Sequence, residues 1–259
     1  MCQPNITAER AAARQGGPAH SVGLECLFDQ QRQFIADASH ELFTPVAGLR
    51  AQLEEAQLHP DQTDLVSLLD DALRDVSRLQ SIVTDLLLLA RLRAGTQVAA
   101  EPVDLGELVQ SRLCARGDRH RVQLRLDPDV WVQGQRPQLE RLLDGLLDNA
   151  QRHAEHTVRL EVRRQGPAAE LVVANDGEAI ALADRERIFE PFTRLDTARS
   201  RDRGGTGLGL AIARDIAQAH HGTLGVEDRP VAPTAFVLRL PFSAEAAGQE
   251  PAAVLAAGR

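Results

Sequence analysis

The chain has 259 residues, a quarter of them charged, and a formal net charge of −8. That length allows one large domain or two small ones with a real core, and the acidic balance gives no electrostatic reason to expect nucleic acid. All 29 basic residues are arginine, a composition bias that makes arginine in place of lysine uninformative. Cys2, Cys26 and Cys114 have neither metal-ligand nor disulfide spacing and read as incidental thiols in a reducing compartment.

Residues 1–27 mix Gly, Pro, Ala and polar residues without periodicity. They lack the basic-then-apolar order of a secretory signal and read as a mobile leader. A first helix is expected from about Cys26 to Leu58. A helix turns by roughly 100° per residue. On that wheel Ile35, Ala38, Leu42, Val46, Leu49, Leu53 and Ala56 form one stripe, expected to be buried. His40 lies on the opposite side, facing solvent, with Glu41 next to it and Thr44 one turn on.

"HPDQTD" (59–64) carries turn chemistry. A second helix follows to about Arg93. Its positions Leu65, Leu69, Ala72, Val76, Leu79, Val83, Leu86 and Ala90 alternate spacings of four and three, a heptad repeat. Two helices make a thin core, so the seam predicts a homodimer with a four-helix bundle. The alternative is a hairpin packed on the second domain of its own chain. No apolar run approaches the roughly 20 residues that span a bilayer.

"AGTQVAAEPVD" (94–104) reads as a linker, and the pattern then becomes mixed. "LGELVQSRLCARG", "RPQLERLLDGLLDNAQRHA" and "GLGLAIARDIAQAHHG" are helical, the last ending at Gly222 as a cap. "RVQLRLD", "VWVQG", "TVRLEVRR", "AELVVAND" and "TAFVLRLP" alternate as strands. The fold class is α+β: a helical hairpin over 28–94, a linker over 95–103, and over 104–242 a sandwich whose sheet is covered on one side by helices. Residues 243–259 read as a disordered tail.

Several stretches carry possible chemistry. "RDRGGTGLGLAIARDIA" (201–217) puts glycines directly before a helix, where backbone N–H groups and the helix start favour phosphate. Arg199, Arg201 and Arg203 precede it, as in a lid. A plain helix-entry loop is at least as common a use of such glycines. Asn149 and Arg152 flank the stripe Leu139, Leu142, Leu143, Leu146 and Ala150. An amide oxygen suits Mg²⁺ bound to phosphates, although a surface asparagine usually has no such role. "VVANDGEAI" (172–180) ends a strand in a turn. Phe189 and Phe192 in "RIFEPFTRLD" are expected to pack under the loop. His120, His153 and His156 read as surface residues, and His220 and His221 as favouring a helix C-terminus.

Together "ASHELFTP", "LLDNA", "NDGEAI", "IFEPFTR" and "GGTGLGLAI" resemble the sensor histidine kinases of two-component systems in order and spacing, over about residues 30 to 242. That resemblance implies a dimeric phosphoacceptor hairpin joined to an ATP-binding sandwich of the Bergerat or GHKL type, shared with gyrase and MutL. It implies that His40 accepts the γ-phosphate of ATP, that Glu41 draws off the imidazole proton, and that Thr44 positions water for dephosphorylation of a partner. Pro45 would bend the helix. Asn149 would ligate Mg²⁺, and Arg152 stands where a phosphate-contacting lysine is usual. Asn175 and Gly177 would meet the adenine. His153, Arg199, Arg203, Gly205, Thr206, Gly207, Leu208 and Gly209 would complete the ATP site. The implied partners are a second copy of the chain and a response regulator that receives the phosphoryl group on an aspartate. Input would come from a partner, such as a membrane sensor, or the chain is truncated. The expected location is cytoplasmic.

The pattern is broken in places. Phe43 replaces an arginine of the histidine motif, and Gly145 stands where a first asparagine is usual. Asn175 replaces the customary aspartate at the adenine, Ala179 the second glycine of that loop, and His153 an aromatic. These changes bear on nucleotide affinity more than on reaction type. They also leave open a degenerate kinase acting as a dimeric regulator-binding scaffold. A gyrase-type ATPase would need a glutamate at 145, which Gly145 excludes.

Overall fold

The computed structural model describes residues 18–95, 99–195, 205–229 and 232–244, with side chains described from residue 31. The chain divides into two compact units, one ending at Val76 and the other beginning at Ser77.

The first unit holds α1 (Pro18–Leu58), a single 3-10 turn (Pro60–Gln62) and the start of α2 (Leu65–Arg93). α1 therefore begins eight residues before the Cys26 expected from sequence, and the end of the supposed leader is helical. The helix continues through Pro45. The turn expected at 59–64 is present. The Thr63 hydroxyl donates to the His59 carbonyl (2.8 Å), and the Asp64 carboxylate accepts from the Val66 N–H (3.1 Å), capping α2.

The expected α1 stripe is only partly buried. Ala38 is buried and Leu42, Leu49 and Ala56 are half-buried, but Ile35, Val46 and Leu53 are exposed. Pro45, left out of the stripe, is buried. The same split runs along α2. Leu65, Leu69, Val76 (39%) and Val83 (46%) are exposed, whereas Ile82, Asp85 and Leu89 are buried on another face. The helical period holds, but one periodic stripe conceals two. One is covered within the chain, and one is left open for another surface.

The second unit begins within α2. Buried Asp85 accepts from Arg141 at 2.5 Å, and Arg93 reaches Asp215 at 3.2 Å. β1 (Glu101–Asp104) then lies inside the stretch taken for a linker, paired antiparallel with β3 (Trp131–Gly134). Four residues with a proline carry too little periodicity to show as a strand. Asp104 also caps α3 (Leu105–Cys114), accepting from the N–H groups of Gly106 (2.7 Å) and Glu107 (3.1 Å).

The main sheet has the order β2-β4-β5-β7-β6, with β2 (Arg121–Leu126) parallel to β4 (Thr157–Gln165) and the other pairs antiparallel. β5 (Ala168–Asn175), β6 (Thr223–Arg229) and β7 (Ala232–Pro241) complete it. β6 was missed from sequence because its glycine and two acidic residues break the alternation. α4 (Arg136–His153) and α5 (Gly209–Ala219) pack on each other. α4 buries Leu139, Leu142, Leu143, Leu146 and Ala150 as expected, with Leu147 added. Alternate residues of the central strands, including Leu160, Leu171, Val173, Phe236 and Leu238, are equally buried. This is the expected α+β sandwich.

The other sheet face carries a second buried cluster, Val172, Ala174, Ala235 and Val237. On that face Glu170 is fully buried and ion-paired with Arg163 (2.5 Å), Arg239 (2.9 Å) and Arg229 (3.2 Å). A buried carboxylate without such partners would be strongly destabilising.

α5 ends in a Schellman motif, with Gly222 N–H bonded to Ala217 (2.8 Å) and His221 N–H to Gln218 (2.9 Å). The left-handed residue is His221 (φ 58°), not Gly222 as the sequence suggested. His220 is buried. Its Nδ1 lies 2.8 Å from the Ile216 carbonyl, and its Nε2 accepts from the Gln135 N–H at 3.0 Å. The helix-terminal role expected for it is joined by a link to the start of α4. At the other end of the domain, Phe242 N–H bonds to Pro167 and Ser243 N–H to Trp131, so the supposed tail starts inside the fold.

Val76→Glu with Val83→Glu places charge on the exposed stripe without disturbing the covered one. Light scattering should show a homodimer for the unmodified chain and a monomer of unchanged helix content for the double variant, because unpaired charge is costly to bury. A monomeric parent at micromolar concentration would exclude the bundle.

Candidate active site

His40 is exposed on α1, as the wheel predicts. Glu41 beside it is half-buried. The Thr44 hydroxyl donates to the His40 backbone carbonyl at 2.9 Å. Its proton is thereby occupied, and the lone pairs of Oγ1 remain to accept from an incoming water. Phe43, one turn past His40, is 70% exposed. Pro45 has no N–H for the Glu41 carbonyl, so one helix bond is missing next to the histidine.

The second group of residues gathers in the other unit, at the end of α4, the end of β5 and the start of α5. Gly145 on α4 permits the approach of α5. A Cβ there would lie 3.2 Å from the Gly209 carbonyl oxygen. Asn149, one turn on, is half-buried, and Arg152 is exposed. The Arg152 guanidinium lies against Gly205, where a Cβ would be 2.6 Å from its Nη1. Arg152 and the glycine-rich turn are therefore neighbours in space. Thr206 Oγ1 accepts from the Leu208 N–H at 3.3 Å, and Leu208 is fully buried. Gly207 has a φ of 72°, and a Cβ there would be 2.7 Å from Phe192 Cα, a position no other residue fills without displacing backbone. Among the described residues no side-chain cap bond is made at Leu208, the N-cap of α5, and a helix start of this kind favours an anion. Arg199, Arg201 and Arg203, the expected lid arginines, lie outside the described residues.

Asn175 closes β5 on the helix-facing side. It is 2% exposed, and neither Oδ1 nor Nδ2 has a hydrogen-bond partner among the described residues. Gly177 follows, where a Cβ would lie 1.8 Å from the His153 carbonyl oxygen and 3.1 Å from Asn175 Nδ2. A glycine is thus required for the strand end to meet the end of α4. His153 is exposed, as expected of a surface residue. Desolvation by its surroundings, and then the charge of Arg152, lower its pKa.

Asp176 has a role the sequence did not reveal. Its Oδ1 accepts from the N–H groups of Glu155 (3.0 Å) and His156 (3.1 Å), and its Oδ2 from Thr157 (3.0 Å). Those bonds outweigh the desolvation that opposes them and lower its pKa. An Asn-Asp-Gly turn reads as generic turn chemistry, and only the fold brings residues 155–157 to it. Phe189 is buried edge-to-face on Phe236 at 6.3 Å, bearing out its expected packing, and Phe192 is half-buried with a φ of 63°.

Comparison with known proteins decides the family. The family described as "Histidine kinase-, DNA gyrase B-, and HSP90-like ATPase" matches residues 134–244, and "His Kinase A (phospho-acceptor) domain" matches residues 30–95. The chain belongs to the sensor histidine kinases of two-component systems. It is similar to the alginate biosynthesis sensor protein KinB of Pseudomonas aeruginosa, with 35% identity over 86% of this chain and 40% of KinB. The solved histidine kinase AdeS of Acinetobacter baumannii superposes with a TM-score of 0.66 at 25% identity, over 79% of this chain and 98% of that one. The histidine kinase ThkA, solved in complex with response regulator protein TrrA, shares the fold with a TM-score of 0.65 at 20% identity, over 82% of this chain and 62% of that one. The chain spans about half the length of the curated kinases it matches. Among the described residues no helix is long and apolar enough to cross a membrane.

Asp176→Ala removes an acceptor shared by three backbone N–H groups. It should cost about 0.5–2 kcal/mol, as loss of an N-cap carboxylate does. Because the folded pKa lies below the unfolded value, the carboxylate's contribution is complete above about pH 4 and is lost as pH falls further. Denaturant titration of parent and variant at pH 7 and pH 3 should show the difference between them shrinking at the lower pH. A constant difference would mean that Asp176 acts through packing.

Proposed function

We propose that this chain is an ATP-dependent protein histidine kinase that phosphorylates His40 and passes the phosphoryl group to an aspartate of a response regulator. What carries it is the pairing of an exposed histidine on α1 with a separate unit whose buried amide, unpartnered among the described residues, and helix start without a cap bond suit a nucleotide. Family membership supports the same chemistry.

Asn175 and Gly177 would face the adenine, with His153 and the loop before α5 closing round the nucleotide. Arg152, the first N–H groups of α5 and the turn from Gly205 to Gly209 would bind the phosphates, with Arg199 and Arg203 from the lid. Asn149 would hold Mg²⁺ through its amide oxygen. Among the described residues no cluster of His, Cys, Asp or Glu could cage a metal, which suits an ion carried mainly by phosphate and water. The ion would draw charge from the β- and γ-phosphates as the transferring group moves.

An imidazole nitrogen of His40 attacks the γ-phosphorus. The bond to the β–γ bridging oxygen breaks, ADP leaves, and Glu41 takes the imidazole proton. Exposure of His40 is needed because two bodies must reach it in turn, first the nucleotide unit and then the regulator. In the reverse activity Thr44 Oγ1 accepts a hydrogen bond from water and aims it at the aspartyl phosphate of the regulator. The homodimer would form through the open stripes of α1 and α2.

Incubation with γ-labelled ATP should label the protein in an acid-labile, alkali-stable form. His40→Gln should remove the label while leaving thermal stability and nucleotide binding intact. Undiminished labelling of that variant would falsify the assignment of His40. Thr44→Ala should keep most of the labelling and slow regulator dephosphorylation at least tenfold. Equal loss of both activities would make Thr44 structural.

A further inference from the structure

The base-reading position of this site carries an amide that the protein leaves unpaired. Asn175 is almost fully buried at the end of β5, next to the Gly177–His153 approach, with both polar atoms unbonded among the described residues. Buried amides normally find partners, so this one is held ready for a group that enters from outside. The neighbouring acid cannot take its place, because Asp176 is turned away onto three backbone N–H groups.

We propose that this site accepts 6-oxopurine nucleoside triphosphates, GTP and ITP, alongside ATP. The inference rests on the proposed nucleotide site and concerns the residue that selects its base. A carboxylate at this position only accepts hydrogen bonds. It would favour the 6-amino group of adenine and repel the O6 of guanine or hypoxanthine, and that repulsion is where selectivity would come from. An amide carries one acceptor and one donor. In one orientation Oδ1 accepts from the adenine 6-amino group while Nδ2 donates to N1. Turned by half a revolution, Nδ2 donates to O6 while Oδ1 accepts from the N1–H of a 6-oxopurine. Among the described residues no hydrogen bond fixes either orientation, so the base decides which is adopted.

Calorimetric titration of the full chain with ATP, GTP and ITP in the presence of Mg²⁺ tests this directly. ITP lacks the 2-amino group and separates base-edge chemistry from crowding at that position. ITP or GTP, or both, should bind within tenfold of ATP, and Asn175→Asp should raise the preference for ATP by tenfold or more. If Asn175→Asp does not fold, Asn175→Ala removes both amide atoms and should weaken ATP and ITP to similar extents. Tight ATP binding with both 6-oxopurines more than tenfold weaker overturns the inference and leaves the kinase reading standing. An unchanged preference in Asn175→Asp, or unequal weakening in Asn175→Ala, overturns the assignment to this residue. Absence of binding by all three nucleotides overturns the proposed site itself.

Discussion

The nucleotide half of the molecule depends on the close approach of α4 and α5 at Gly145 and Gly209. Without a side chain at 145, the start of α5 can settle beside the turn of α4 that bears Asn149 and Arg152. The first N–H groups of α5, the glycine-rich turn and the Arg152 guanidinium then share one region. A Cβ at 145 would lie 3.2 Å from the Gly209 carbonyl oxygen, a tight contact that a shift of a few tenths of an ångström relieves. Gly145 therefore exchanges a possible second amide on α4 for backbone proximity. Asn149 is left as the one asparagine of α4.

Around that contact, buried and half-buried polar groups divide into those spent on the fold and those left open. Asp176 fixes the chain between α4 and β4, Gln151 bonds both ways to the backbone of His120, and His220 ties the end of α5 to the start of α4. Glu170 is neutralised by three arginines on the far face of the sheet. Asn175 stands apart from these, buried but with no hydrogen bond among the described residues. Leaving such a group unsatisfied destabilises a fold, so its retention at the end of a central strand points to function rather than architecture.

Much of this was legible in the sequence because it rests on periodicity and on local chemistry. The helical wheel puts His40 outward, the heptad spacing finds α2, and alternation finds most strands. The glycines before α5 and the amphipathic α4 follow from the same rules. What was not legible depends on which surface meets which. The wheel merges into one stripe the covered positions Ala38 and Leu42 and the open positions Ile35 and Val46. β1 is too short, and β6 too broken by glycine and acid, to alternate visibly. The duty of Asp176 lies with residues some twenty positions earlier, and the left-handed geometry of His221 goes against the ordinary preference for glycine at that place.

In the proposed nucleotide site the end of β5, the end of α4 and the start of α5 act together. Side-chain amide signals of asparagine in heteronuclear NMR read two of its residues directly. On addition of ADP with Mg²⁺, the amides of Asn175 and Asn149 should shift together along one saturable curve, with the backbone signals of Gly205, Gly207 and Gly209 following it. Saturable nucleotide binding that leaves Asn175 and Asn149 unmoved would contradict the account.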